Sequence, residues 1–250
     1  MDEQIKRMSR EIKTLKWYAA ILTFVFCAIL VFLVINVNQT HFKEITAERI
    51  NIVEDNGNLR MVISNKSRSP QALVYGKPFT PPIEGGNRPG LIFYNDECTE
   101  NGGLVFMGGK DSTGKYEATG HLSFDQYNQN QTIYLQYADD NGNQNTGLHI
   151  DDWQIDPPFW KWRAAYKKAQ QLPDGAYKQK LLNRLMEPSR SHKAFAQRIF
   201  IGKNENKTAM LTLADREGKP RLQLLVDSNG IAKLNFLNEK GNITYSLPKQ

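Results

Sequence analysis

From Trp17 to Val37 the chain reads Trp-Tyr-Ala-Ala-Ile-Leu-Thr-Phe-Val-Phe-Cys-Ala-Ile-Leu-Val-Phe-Leu-Val-Ile-Asn-Val, and no charge falls between Lys16 and Lys43. As a helix this run rises about 31 Å, enough to cross the hydrocarbon core of a bilayer. Backbone groups in lipid must satisfy one another, so a continuous transmembrane helix over 17–37 is predicted. Trp17 and Tyr18 at its start suit the headgroup layer. Lys6, Arg7, Arg10, Lys13 and Lys16 precede the run, whereas residues 38–47 offer only Lys43. That excess of cations predicts a single-pass cell-membrane protein with a cytoplasmic N-terminus and an extracytoplasmic C-terminal domain. A cleaved signal peptide has a shorter apolar region ending in small residues. Leu33-Val34-Ile35-Asn36-Val37 is bulky there, so a retained signal-anchor is expected.

Ile5, Met8, Ile12 and Leu15 follow a 3-4-3 spacing, which makes residues 1–16 an amphipathic helical segment leading into the anchor. Residues 38–47 form a tether whose reach is at most about 36 Å. Cys27 lies inside the apolar run and Cys98 beyond it, so the two cannot bridge, and residues 48–250 must be stabilised by packing. Cys98 lies in Asp96-Glu97-Cys98-Thr99-Glu100, an acidic setting that disfavours a thiolate and points to an inert thiol.

From Glu48 the apolar period becomes two. Arg49–Val53 and Leu59–Ile63 read as strands joined by a turn containing Asn56-Gly57, a strong hairpin signal. Residues 65–90 hold five prolines and read as a long loop. Short strands resume over Leu91–Tyr94, Gly103–Met107, Thr119–Phe124, Gln131–Tyr137 and Thr146–Ile150. Between the last two, Asp139, Asn141 and Asn143 alternate as in a calcium loop. Gln144 and Ile150 stand where such a loop needs Gly and Glu, so a hairpin turn is expected.

Residues 156–198 break the pattern. Asp156 with Pro157 and Pro158 reads as a helix start, and Phe159, Trp162, Tyr166, Ala169 and Leu172 keep helical spacing. Pro173-Asp174-Gly175 ends that helix, and Tyr177, Leu181, Leu182 and Leu185 mark a second one. Pro157–Arg198 carries ten Lys and Arg against Asp174 and Glu187, a balance of +8, so the remainder of this +6 chain is slightly acidic. After it, glycines at 218, 230 and 241 close apolar runs at a period of 11–12. The expected fold class is mainly β: an N-terminal transmembrane helix, then an antiparallel β-meander domain with a helical-hairpin insertion. Repeated hairpins leave sheet edges to be covered, and a homo-oligomer is one way to cover them.

Catalytic constellations are absent from the sequence. His41, His121, His149 and His192 make no metal pair at helical spacing, and there is no Cys-x-x-Cys, phosphate loop or Gly-x-Ser-x-Gly elbow, so no metal and no cofactor are expected. Trp160, Lys161, Arg163, Lys167 and Lys168 form an aromatic–basic face suited to anionic lipid or acidic envelope polymers. No nucleic-acid partner is expected for an exported domain. The expected function is an extracytoplasmic structural or interaction module that binds envelope polymers (glycans among them) or another membrane protein. An envelope glycan hydrolase is the alternative; it needs two carboxylates from Asp96, Glu97, Glu100, Asp125 and Asp151, with Asp96 or Glu97 near Asp125 the first choice.

Glu48–Asn65, Gly90–Tyr94, Leu122–Tyr127 and Gln197–Pro248, with their strand-Asp-x-x-Gly-strand units and the central helical pair, resemble a set of bacterial proteins with one N-terminal anchor and a β-rich exported domain. The resemblance implies an envelope location. It implies no activity, and no functional residue carries over from it.

Overall fold

The computed structural model describes residues 2–37, 42–80, 87–187 and 193–249. The chain divides into two compact units, Met1–Thr46 and Ala47–Gln250. The first is one helix, α1 (Asp2–Val37). It is long and apolar enough to cross a membrane, and none of its apolar stretch is buried by protein. Thr14 and Thr23 donate their hydroxyls to the carbonyls of Arg10 and Ala19, four residues back, so neither polar group is left bare along the helix.

The second unit is built on one antiparallel sheet of twelve strands. Before the helical insertion come β1 (Arg49–Val53), β2 (Leu59–Ser64), the short hairpin β3 (Leu73–Val74) and β4 (Lys77–Pro78), β5 (Gly90–Tyr94), β6 (Glu100–Lys110), β7 (Tyr116–Asp125), β8 (Gln131–Asp140) and β9 (Asn143–Trp153). Helices α2 (Phe159–Gln170) and α3 (Ala176–Met186) follow, then β10 (Phe195–Lys203), β11 (Ala209–Ala214), β12 (Pro220–Val226), β13 (Ala232–Leu237) and β14 (Ile243–Leu247). Apart from β3–β4, which pair only with each other, every strand lies beside its neighbours in sequence. The sheet is open: β1 is one edge and β14 the other.

Three details differ from the sequence reading. The long loop of residues 65–90 contains the β3–β4 hairpin. The first helix starts at Phe159 behind Pro158, with no side-chain cap, so Asp156 does not cap it; strand β10 resumes at Phe195, inside the span expected for the insertion.

One local motif closes many of the hairpins. In Asp111–Lys115 the Asp111 carboxylate accepts from the N–H groups of Thr113 (2.8 Å) and Lys115 (3.1 Å), and Gly114 N–H donates back to the Asp111 carbonyl. Asp215, Asp227 and Asn238 repeat it with Gly218, Gly230 and Gly241. The fourth residue of each turn has positive φ, which glycine adopts without strain. The Asp-x-x-Gly repeat of the sequence is therefore a turn repeat.

The strands keep a common register across the sheet. Ile50, Ile63, Leu91, Leu104, Leu122, Leu135, Leu148, Ile201, Leu211, Leu224, Leu234 and Leu247 are successive cross-strand partners, one Ile or Leu on each of the twelve strands. The neighbouring row on the same face, two residues along each strand, starts with Ile52, Met61 and Phe93. It crosses Gly102 and continues through Phe124, Ile133, Ile150, Ile199, Leu213, Leu222, Phe236 and Tyr245. We call this the ladder face.

The opposite face is mixed, and the unit's additional elements lie against it. Val62, Ile92 and Tyr94 form a small buried core there, with Leu59, Leu73 and Val105 packed around them. At one end of the sheet Trp153 meets Phe159 at 5.5 Å, Trp162 at 5.7 Å and Phe195 at 5.1 Å between ring centres, which fastens α2 to β9 and β10. Trp162 also donates its indole N–H to the Leu185 carbonyl at 2.8 Å, tying α2 to α3.

Candidate functional site

The ladder face is uncovered by any described residue of its unit. Leu135 and Leu224 are each 52 % exposed, Phe124 50 % and Phe106 57 %. A third, shorter row joins the two complete ones: Phe106, Gly120, Tyr137, Thr146, Lys203, Ala209, Val226 and Ala232. Gly120 opens this row to a broad trough of about 810 Å³, bordered by Leu104, Leu122, Leu135, Tyr137, Leu148 and Ile201. Neither complete row contains a charge; in the third, Lys203 turns its ammonium to the Gln144 side chain at 2.8 Å. Monomeric soluble domains seldom leave a contiguous apolar surface of this breadth exposed.

The opposite face carries a second set of titratable groups. His121, Tyr134, His149 and Phe200 stack across four adjacent strands, with ring centres 5.4, 4.4 and 4.9 Å apart. Burial holds both histidines below the ordinary imidazole range, and His121 depresses His149 further. Gln197 bonds His149 Nδ1 at 2.8 Å. Burial also lifts Asp151 to about 6, against the lowering effect of its hydrogen bond from Tyr134.

Nearby, Arg88 grips Glu100 with two parallel bonds of 2.6 and 2.9 Å. Asp125 lies within the field of that pair. Burial, and secondarily the Glu100 charge, push Asp125 up to about 8, while Arg88 opposes the shift. At neutral pH this site holds a protonated carboxyl beside an arginine-clamped carboxylate. A hollow of about 620 Å³ reaches Arg88, Glu100, His121 and Gln136, whereas the space bordered by Asp125 is about 40 Å³, too small for a sugar ring.

The carboxylates singled out from sequence separate. Asp96 pairs with Arg60 at the surface, and Glu97 accepts from the Tyr127 hydroxyl at 3.0 and 3.1 Å. The partner of Asp125 is Glu100. Among the described residues no group of three or more His, Cys, Asp and Glu is placed to hold a metal ion.

On α2, Phe159, Trp162 and Tyr166 stack on one another at 6.0 and 5.1 Å, and Ala169 is buried, so this face packs inward. Trp160 turns the other way and meets Tyr75 edge-on at 5.5 Å, which half-buries it against the β3–β4 hairpin. Lys161 and Lys168 are exposed, while Arg163 and Lys167 are half-buried. Of the five residues, two are thus exposed and three half-buried. Cys98 is buried at a turn position with φ of 56°.

No protein-family model matches the chain, and no curated protein shows significant similarity to it.

Proposed function

We propose that this chain is a membrane-anchored extracytoplasmic interaction module. The observation that carries the reading is the ladder face: twelve strands hold two complete apolar rows open to solvent. A single-layer sheet with one dry face is half of a packed structure, since sheets reach stability by burying that face against another layer. The membrane-length helix α1 supports anchoring, and the cations before Trp17 favour a cytoplasmic N-terminus. Exposed Lys161 and Lys168 give the same domain a basic flank for acidic envelope polymers. The glycan-hydrolase alternative needs a sugar-sized cleft between two carboxylates, and the confined space at Asp125 weighs against it.

Photo-crosslinking in cells tests the module. A photoreactive residue at Leu104, Leu135 or Leu224 is expected to trap a neighbouring macromolecule, and one at the exposed Lys115 turn is not. Absence of adducts from all three ladder positions would rule the interaction reading out.

A further inference from the structure

We infer that a second copy of this chain covers the ladder face, the two sheets packing face to face. This names the partner of the interface proposed above and rests on that reading.

Area is the first argument. Twelve strands make eleven spacings, and at roughly 4.8 Å each the face is about 53 Å wide. Two rows at about 6.8 Å separation, with the side-chain margin, make it roughly 10 Å tall, and the third row adds about 7 Å over the eight strands β6 to β13. The footprint is then about 770 Å² per copy, or about 1,500 Å² for a pair, within the range of stable protein–protein interfaces.

Composition is the second. The central row presents one Ile or Leu per strand from Ile50 to Leu247. It offers no charge and no hydrogen-bond donor that a chemically different partner could read for specificity. What fits it is a surface equally wide, equally apolar and carrying the same sheet twist. The ladder face of another copy has all three properties, and a two-fold axis in the interface satisfies both copies at once. A lipid surface fits less well, because interfacial apolar faces are flanked by cations, and Lys203 is the sole Lys or Arg in the three rows.

The anchor supplies the third. Copies tethered in one membrane by about ten residues meet at a high effective concentration and with their anchors on the same side. Residue 47 leads directly into β1, the edge strand. An axis running across the strands, from the β1 edge toward the β14 edge, puts the two β1 strands, and so the two chain entries, at the same end of the pair.

The test uses the full chain in three arms. Adducts trapped at Leu104, Leu135 and Leu224 are identified by mass spectrometry and are expected to join this chain to itself. The mass of the full chain in nanodiscs is expected to be a multiple of one chain. Leu135→Lys with Leu224→Lys is expected to return it to one chain and to cut the self-adduct at Leu104 at least tenfold, with the strand signature in circular dichroism unchanged. Should the double variant misfold, Leu135→Asn alone serves, and lowered self-adduct yield is again expected. A single-chain mass for the unaltered protein overturns self-pairing, as do adducts to lipid or to another protein alone. In the latter case the interaction module survives and only its partner changes; no adducts at all removes both. A multiple mass that Leu135→Lys/Leu224→Lys leaves intact in a folded protein also overturns the proposal, since the copies then meet elsewhere.

Discussion

Phe93 and Phe124 stack nearly parallel, 6.2 Å between ring centres, over the bare backbone of Gly102. They sit on β5 and β7, two strands apart, and the glycine on β6 between them leaves the space into which both rings lean. Gly102 has φ of 122°, and a Cβ there would lie 2.2 Å from the Ser123 carbonyl oxygen. The missing side chain in the second ladder row is thus filled by its neighbours, which keeps the row apolar without a break.

Gly102→Ala is therefore expected to destabilise the domain by at least about 2 kcal/mol, since backbone strain and a backbone clash act together. Phe93→Leu, which removes only the ring pair, is expected to cost about 1 kcal/mol. Denaturant unfolding followed by circular dichroism measures both, and equal losses for the two would show that the glycine is not the constraint.

Lys207 holds the fourth position of the Asn204–Thr208 turn with φ of 59°, where the turns opened by Asp111, Asp215, Asp227 and Asn238 have glycine. Its side chain is exposed. A non-glycine residue in this left-handed region costs roughly 1–2 kcal/mol, partly offset in glycine by the greater freedom of the unfolded chain. Lys207→Gly is expected to raise stability by about 0.5–1 kcal/mol, read as a higher denaturant midpoint with unchanged slope.

Much of this was legible in the sequence. Period two gave the strands, Asp-x-x-Gly gave the turns, and Phe159, Trp162, Tyr166 and Ala169 gave the inward helix face. The ladder left a trace too, since Leu122, Leu135 and Leu148 are 13 residues apart, as are Leu211 and Leu224. Reading that trace requires register, which depends on identical turn lengths over many hairpins. Asp125 and Glu100 come together through cross-strand pairing and the return of residue 88 from the loop, and no local spacing encodes that. The Trp160–Tyr75 contact is long-range in the same way.

Asp125 gives the domain a pH dependence of definite sign. Its folded-state value near 8 lies above the unfolded value near 3.8. Between those limits the folded protein keeps a proton that the unfolded chain has released, so this contribution is complete at low pH and lost as pH rises toward 8. His121 and His149, held below their ordinary range, act oppositely and cost stability as the medium becomes acid. Asp125→Asn keeps the shape and removes the titration. It is expected to raise the melting temperature by several degrees at pH 8 and by less at pH 5. An equal change at both pH values would show that Asp125 is ionised in the folded protein.

The anchor's direction rests on Lys6, Arg7, Arg10, Lys13 and Lys16 before the apolar run, against Lys43 after it. Positive charge within about 15–20 residues of a span resists translocation, which fixes the flank that stays inside. A reporter active only outside the cytoplasm, fused after residue 45 or after Gln250, is expected to be active at both places. Replacing the five N-terminal cations by Gln and adding three Lys over residues 44–46 is expected to lower that activity severalfold by reversing some of the chains. Retained full-length mass, with the N-terminal residues still present, is expected if the span anchors the protein. A mature chain starting beyond residue 36, with the reporter still external, would mean that the domain is released, and the co-anchoring that favours pairing of ladder faces would be lost.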